Sequence, residues 1–176
     1  MKAALSCTIR DEEPVDLAAI RALNEEAFRQ DAEANIVDEL RRTCPDILSL
    51  VAERGGRVVG HILFSPVTTE LPGGLLRGMG LAPMAVLPSF QRQGIGSRLV
   101  AAGLERLRQT DCPFVVVIGH PEYYPRFGFR RASEYGLVCQ WDEVPDEAVM
   151  VTVFDERRMR GIAGMVRYRE EFDAAM

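Results

Sequence analysis

Several features are scarce in this chain of 176 residues, and each scarcity removes a class of function. There are four cysteines, Cys7, Cys44, Cys112 and Cys139, and two histidines. The cysteines are widely separated and form no CxxC pair, so no metal site is indicated and reduced, buried thiols are expected. No apolar run approaches the roughly 20 residues that cross a bilayer. The N-terminal Met1-Lys-Ala-Ala-Leu-Ser lacks the apolar stretch of a secretory signal, so the expected location is cytoplasmic, with no membrane partner. Basic charge is not in excess either. A net charge of -5 argues against nucleic acid as a partner and tilts towards neutral or cationic substrates.

What is present suits one soluble domain: 47% of the residues are hydrophobic and 27% charged, with no repeat and no low-complexity linker. Ser6 to Arg10 reads as a short first strand. Pro14 opens a helix that places Leu17, Ile20, Leu23, Ala27 and Phe28 on one face, and a second helix runs from about Glu33 to Arg42 until Cys44-Pro45 stops it. Leu48–Glu53 and Arg57–Phe64 form two strands around Gly55-Gly56, a two-residue hairpin signal. After a turn at Leu71–Gly74 comes a strand from about Met79 to Leu87. It carries Pro83, which cannot donate to a ladder, so irregularity is expected there. A helix from Gly94 to Gln109 places Leu99, Ala102, Gly103 and Leu107 inward, and Phe114–Ile118 reads as a buried strand. A short helix ends at Gly128 before a further strand. Leu137–Gln140 and Ala148–Phe154 are strand candidates, and the tail from Glu156 is charged and partly helical.

The most informative stretch runs from Pro83 to Val100, an apolar strand entering a glycine turn and then a helix. Amides from Arg92 to Gly96 can converge on one concavity, and the helix start adds orphan donors and the positive end of its dipole. Gly94 and Gly96 are needed because a side chain would hold an anion away or forbid the required dihedrals. Each charge-assisted bond contributes about 1.5–3 kcal/mol, so several together reach much of the roughly 8 kcal/mol of a micromolar ligand. Gly-Ile-Gly alone leaves a plain glycine turn before a helix equally open. The pattern argues against a P-loop, because Ser97 and Arg98, rather than lysine and a hydroxyl residue, follow Gly96. A dinucleotide turn lacks its third small residue, since Leu99 stands there.

Together, Gln91-Arg-Gln-Gly-Ile-Gly96 after Met84-Ala-Val-Leu-Pro88, and Tyr124-Pro-Arg-Phe-Gly-Phe129 further on, make the chain resemble the GNAT acyltransferase superfamily, in particular its small bacterial N-acetyltransferases. The likeness spans the first strand to about Phe154. It implies an α/β (α+β) fold with a central, mostly antiparallel mixed sheet, splayed at the cofactor strand and flanked by helices. It also implies an acetyltransferase domain over residues 1–155, with residues 156–176 as an extension of it. Acetyl-CoA is the implied acyl donor. Backbone at Met84, Ala85 and Val86 would pair with pantetheine, and Arg92, Gln93, Gly94, Ile95, Gly96 and Ser97 would hold the pyrophosphate. The resemblance further suggests a homodimer.

Direct transfer to a primary amine of a small molecule or peptide requires two proton movements. An amine with a pKa of about 10.4 must lose a proton before it attacks, and a thiolate with a pKa of about 8.5 leaves more readily with a donor beside it. Tyr124, by family position, is assigned the donor role, and His120, directly after the apolar strand, is the candidate base. Glu122, Glu25 and Glu33 are alternatives for the base, as is a water relay. His61, inside a hairpin strand, reads as structural. Tyr123 and Phe127 read as core, Arg126 as solvated, Trp141 as a substrate-mouth or oligomer residue, and Arg157, Arg158 and Arg160 as a solvated face. The alternative function is a catalytically inactive acyl-CoA sensor.

Overall fold

A computed structural model describes residues 7–175. Ser6, at the start of the expected first strand, lies outside them. The chain divides into two compact units, the first holding the described residues through Phe64 together with Pro83–Gly103, the second Ser65–Ala82 with Leu104–Ala174. Two long strands, β3 (Arg57–Leu71) and β4 (Gly74–Val86), contribute to both.

In the first unit β1 (Cys7–Asp11) pairs antiparallel with β2 (Leu48–Arg54), from Cys7 opposite Arg54 to Asp11 opposite Leu50. β2 pairs antiparallel with β3, Leu48 facing Phe64 and Arg54 facing Arg57, with a register shift at Ala52/Glu53. The hairpin turns on Gly55 and Gly56, both at positive φ (60° and 76°), as a primed two-residue turn requires. Residues of β3 alternate between two helical layers. A Cβ on Gly60 would fall 3.0 Å from Leu99, and one on Gly103 would fall 2.2 Å from Phe64, so α3 (Ile95–Arg108) lies directly on that face. His61 points the other way, to Asn24 of α1 (Leu17–Phe28), beside α2 (Ala32–Thr43).

The expected helices form, with corrected edges. Pro14–Asp16 is a separate 3-10 turn and α1 starts at Leu17. Leu17 and Phe28, expected inward, are exposed, at 40% and 36%. They lie at the two ends of the helix, and Ile20, Leu23 and Asn24 form its buried stripe. Of the four cysteines only Cys44 is buried, and the other three are partly exposed free thiols.

In the second unit β4 runs parallel to β5 (Phe114–Ile118), with Met79, Gly80 and Leu81 opposite Val115, Val116 and Val117. β5 pairs antiparallel with β8 (Val149–Val153), and β8 with the two-residue β6 (Arg130–Arg131). The ladder order of the seven-stranded sheet is β1-β2-β3-β4-β5-β8-β6. The β4–β5 register ends at Leu81, two residues before Pro83, whose missing N–H suits the end of a ladder. β4 nevertheless continues through Pro83 to Val86 and begins at Gly74, earlier than the sequence suggested. The tail is partly helical, as expected, and also carries a strand. β9 (Gly164–Val166) pairs parallel with β7 (Leu137–Cys139), Thr68 bridges Arg167, and only Glu170–Ala175 is 3-10 helix.

Candidate active site

The glycine turn belongs to the first unit. After Val86 a 3-10 turn, Pro88–Phe90, leads into Gln91–Gly94, all exposed, and α3 begins at Ile95 rather than Gly94. Gly94 sits at φ 80° with none of the protein's own atoms within 4 Å of a Cβ built on it, so within the chain itself it is the dihedral that calls for glycine. Gly96 lies inside α3, where no left-handed dihedral is called for. Instead Arg92 takes the second left-handed conformation, at φ 60°, which an arginine adopts only at a cost. That signal is invisible in the sequence, because arginine does not advertise positive φ. Left-handed residues alternating with ordinary ones turn successive amides towards one side, the geometry of an anion nest. The amides of Ile95 and Gly96 precede the first α-helical bond, from Arg98 N–H to the Gly94 carbonyl at 3.1 Å. The positive end of the helix dipole therefore adds to the same turn.

Side chains fix the turn from below. Gln93 accepts from Arg54 at 2.7 Å and donates to the Ser89 carbonyl at 3.2 Å. The Arg54 and Arg57 guanidinium groups lie 5.8 and 5.9 Å from the Phe90 ring centroid. Gln91 donates to the Val86 carbonyl at 3.0 Å. Met84 and Val86 are half-buried and Ala85 is buried, so one edge residue in two faces inward along this end of β4. Ser97 is half-buried in the first turn of α3.

The same unit contains a polar chain that sequence reading did not find. Arg41 holds Glu12 through two hydrogen bonds, at 2.7 and 2.8 Å, and the Ser49 hydroxyl donates to the same carboxylate. The Ser49 oxygen then accepts from His61 Nε2 at 2.9 Å, which leaves His61 Nδ1 to accept from Asn24 Nδ2 at 3.3 Å. Asn24 also donates to the Ile20 carbonyl at 2.9 Å. Full burial pushes the His61 imidazole down to about 3, with Glu12 opposing and Arg41 reinforcing the shift. Burial by itself would raise Glu12, but hydrogen bonds from Arg41 and Ser49 outweigh it and hold the carboxyl below its ordinary range. Both ring nitrogens of His61 are occupied, so the expected structural role is what this geometry provides. Hydrophobic periodicity marks α1 and α2 but says nothing of which polar residues they bury, so Asn24 carried no signal.

His120 and Tyr124 belong to the second unit. His120 is exposed just past β5, and its carbonyl accepts the Tyr123 and Tyr124 amides at 3.0 and 3.4 Å. This turn starts the 3-10 helix Tyr124–Phe127, which ends on Gly128 at φ 88°. Tyr124 is buried, packed edge-on against Tyr123 and Phe129 with ring centroids 5.0 and 5.6 Å away. A Cβ on Gly119 would fall 2.3 Å from Tyr124 Cε2, so a glycine at the end of β5 makes room for the ring. Burial drives the phenol well above its ordinary pKa, with Tyr123 adding to the effect, so Tyr124 is neutral throughout the physiological range. Tyr123 also packs on Phe127 at 5.4 Å and under the Arg126 guanidinium at 4.6 Å, and Arg126 Nε donates to the Tyr123 carbonyl. Of the other base candidates, Glu25 pairs with Arg21 at 3.0 Å and Glu33 accepts from Gln30. Among the described residues no group of three or more metal-ligating side chains is gathered, and no helix is long and apolar enough to cross a membrane.

Known proteins resemble this chain. The family model of the acetyltransferase (GNAT) domain matches residues 8–132. An uncharacterized N-acetyltransferase of Escherichia coli K12, YhbS, is 37% identical over 166 residues, spanning 94% of this chain and 98% of its own. The crystal structure of E. coli YhbS in complex with CoA superposes with a TM-score of 0.87 at 36% identity, covering 98% of this chain and 95% of that one. A GNAT family acetyltransferase from Brucella melitensis, crystallised with acetyl-CoA, gives a TM-score of 0.78 at 37% identity over 96% of this chain and 99% of its own. With its strand order, its glycine turn and these relatives in agreement, the chain belongs to the GNAT acetyltransferase family.

Proposed function

We propose that this acetyltransferase moves an acetyl group from acetyl-CoA directly to a primary amine of a small molecule or peptide. The observation that carries the reading is the turn at the start of α3, where left-handed Arg92 and Gly94 aim amides outward from an exposed loop. Those residues fit a diphosphate, and the relatives crystallised with CoA and acetyl-CoA support the choice of ligand. Arg92, Gln93, Gly94, Ile95, Gly96 and Ser97 hold the diphosphate, chiefly through main chain. Met84, Ala85 and Val86 offer backbone to the pantetheine amides, as an added strand would.

The bound coenzyme supplies a thioester acyl group. His120 takes the proton of the amine as the nitrogen bonds to the acyl carbon, and Tyr124 Oη gives a proton to sulfur as the carbon–sulfur bond breaks. Burial keeps Tyr124 protonated wherever the enzyme works, and the same upward shift makes its phenol a weaker acid. On this reading residues 1–155 carry the activity and residues 156–176 extend the same domain. The partners are the amine and a second copy of the chain in a cytoplasmic homodimer, with neither nucleic acid nor membrane among them, in keeping with the net charge of -5. The deciding experiment is CoA titration calorimetry followed by steady-state CoA release over an amine panel. Micromolar binding with turnover supports the reading, and binding with no turnover on any amine replaces it with an acyl-CoA sensor.

A further inference from the structure

Among the described residues, three hydroxyls of the second unit are buried without a hydrogen-bond partner: Ser65 Oγ, Thr69 Oγ1 and Tyr168 OH. Buried polar groups are rarely left so, and each one calls for an explanation. The three lie on one face. Ser65, Val67 and Thr69 alternate along β3 and so project to the same side. Thr68 and Arg167 exchange both of their backbone bonds, at 3.0 and 2.8 Å, in an antiparallel bridge. That register sets Tyr168 opposite Val67, with its side chain on the Val67 side. Gly80 of β4 confirms the placement, since a Cβ there would fall 2.7 Å from Tyr168 Cε1 and 2.8 Å from Val67 Cγ1.

The Tyr168 ring is held firmly, which makes its unpartnered hydroxyl more telling. It packs against Trp141 and Phe172 with centroids 5.3 and 5.4 Å away, and its amide donates to Gln140 Oε1 at 2.6 Å. Replacing it with phenylalanine would satisfy every one of these contacts, so packing does not account for the oxygen. Tyr168 also stands beyond residues 8–132, the part of the chain that the family model matches.

Resting on the acetyl-transfer reading above, we propose that Ser65, Tyr168 and Thr69 line a strip of the acceptor site, on which an uncharged hydrogen-bonding group of the amine substrate, a hydroxyl or a carboxamide, meets Tyr168 OH, with the two β3 hydroxyls, about 13 Å apart along the strand, on either side of it. A hydroxyl both donates and accepts, so Tyr168 OH matches a group that does the same. No charged side chain is hydrogen-bonded to any of the three, and a buried carboxylate or ammonium there would lack a counter-charge. Entry requires a local shift of the segment around Tyr168, which meets β3 through an isolated bridge and is steadied by the β7–β9 ladder before it and by the bond from its amide to Gln140.

The test compares ethanolamine and glycinamide with propylamine, using the full-length protein, its Tyr168→Phe variant and the near-isosteric Thr69→Val. In the wild type kcat/KM for the two polar amines should exceed that for propylamine by about tenfold or more, and Tyr168→Phe should erase about tenfold of that preference through KM. The melting temperature of the ligand-free variant should be unchanged or higher, because an orphaned hydroxyl has been removed. Equal loss on all three amines, or no change in the ratio, shows that the hydroxyls serve packing or hold ordered water, and overturns the subsite. If no amine is turned over, stabilisation of the protein by each amine, read as a melting shift, replaces kinetics. A polar-amine shift lost in Tyr168→Phe sustains the subsite, and its absence overturns it. CoA titration separates the two readings: binding of CoA without amine discrimination sinks the subsite alone, whereas absent CoA binding sinks the acetyl-transfer reading itself.

Discussion

The side-chain amide of Gln91 donates to the main-chain carbonyl of Val86 at 3.0 Å, tying the residue that opens the glycine turn back to the last residue of β4. Five residues of chain are thereby closed into a loop between the two stretches proposed to hold the coenzyme. A carbonyl has two lone pairs, so the bond leaves Val86 able to accept again. Gln91→Leu should weaken CoA binding about 3- to 10-fold, the equivalent of losing one ordinary hydrogen bond's contribution to a preset turn. Calorimetry reads the affinity, and thermal unfolding should hardly move because Gln91 is exposed.

Gly94 and Arg92 share positive φ and should respond in opposite directions. Gly94→Val forces a β-branched residue into the left-handed region, costing about 1–2 kcal/mol locally, and should reduce CoA affinity at least tenfold as the turn re-forms. Nothing within 4 Å of the added Cβ crowds it, so the fold should survive with native circular dichroism. Arg92→Gly relieves the strain and should raise stability by up to about 1 kcal/mol. If main-chain amides do the holding, CoA affinity falls no more than a few-fold, and a loss of a hundredfold would transfer the role to the guanidinium.

Tyr124→Phe keeps the ring against Phe129 and Gly119 and removes only the hydroxyl. Acetyl transfer should fall by about 10²- to 10⁴-fold in kcat, with CoA affinity retained. Because burial raises the phenol above its ordinary value of about 10, wild-type activity should show no loss from Tyr124 ionisation up to that pH. Its contribution to stability is likewise complete below about pH 10 and is lost only as the pH climbs through the raised folded value. A Tyr124→Phe enzyme with unchanged kcat across pH removes the tyrosine from the chemistry.

His61 should make the fold sensitive to acid. Its folded pKa, lowered to about 3 from 6.5, means that the unfolded chain takes up this proton first, so the stabilisation is present above about pH 6.5 and is lost as the pH falls towards 3. The slope approaches about 1.4 kcal/mol per pH unit for this one group. Glu12, also lowered, adds its own loss only below its ordinary value of about 4.5, so the interval between pH 6.5 and 4.5 isolates the histidine. Urea unfolding of the wild type and of His61→Gln across that interval should give a shallower pH slope for the variant. Parallel slopes would mean that the imidazole is not held neutral by its surroundings.

Much of this molecule was legible from residue order alone. Gly55-Gly56 between two apolar runs, the continuous apolar Phe114–Ile118, and Gln91–Gly96 ahead of an amphipathic stretch each encode their local structure within a few residues, and all three form where expected. Gly103 was expected on the packed face of α3, and its place against the Phe64 ring bears that out. The edges and ends were harder. β4 extends back to Gly74 through a glycine-rich stretch of low strand propensity, because neighbouring strands supply the hydrogen bonds that propensity does not. β9 is three residues long and exists only by pairing with β7, so nothing local announces it.

By itself the sequence determined the family, the order of the main elements and the position of the glycine turn, since periodicity, turn chemistry and glycine placement act over a few neighbouring residues. Only the tertiary structure decided that Arg92 is left-handed, that Glu12, Ser49, His61 and Asn24 link into one buried chain, and that Ser65, Thr69 and Tyr168 share a face. These relations join residues 12 to 37 or about 100 positions apart, brought together by sheet register and helix packing. Hydrogen bonds of that span depend on where the backbone has already gone, which no local pattern of residue types records.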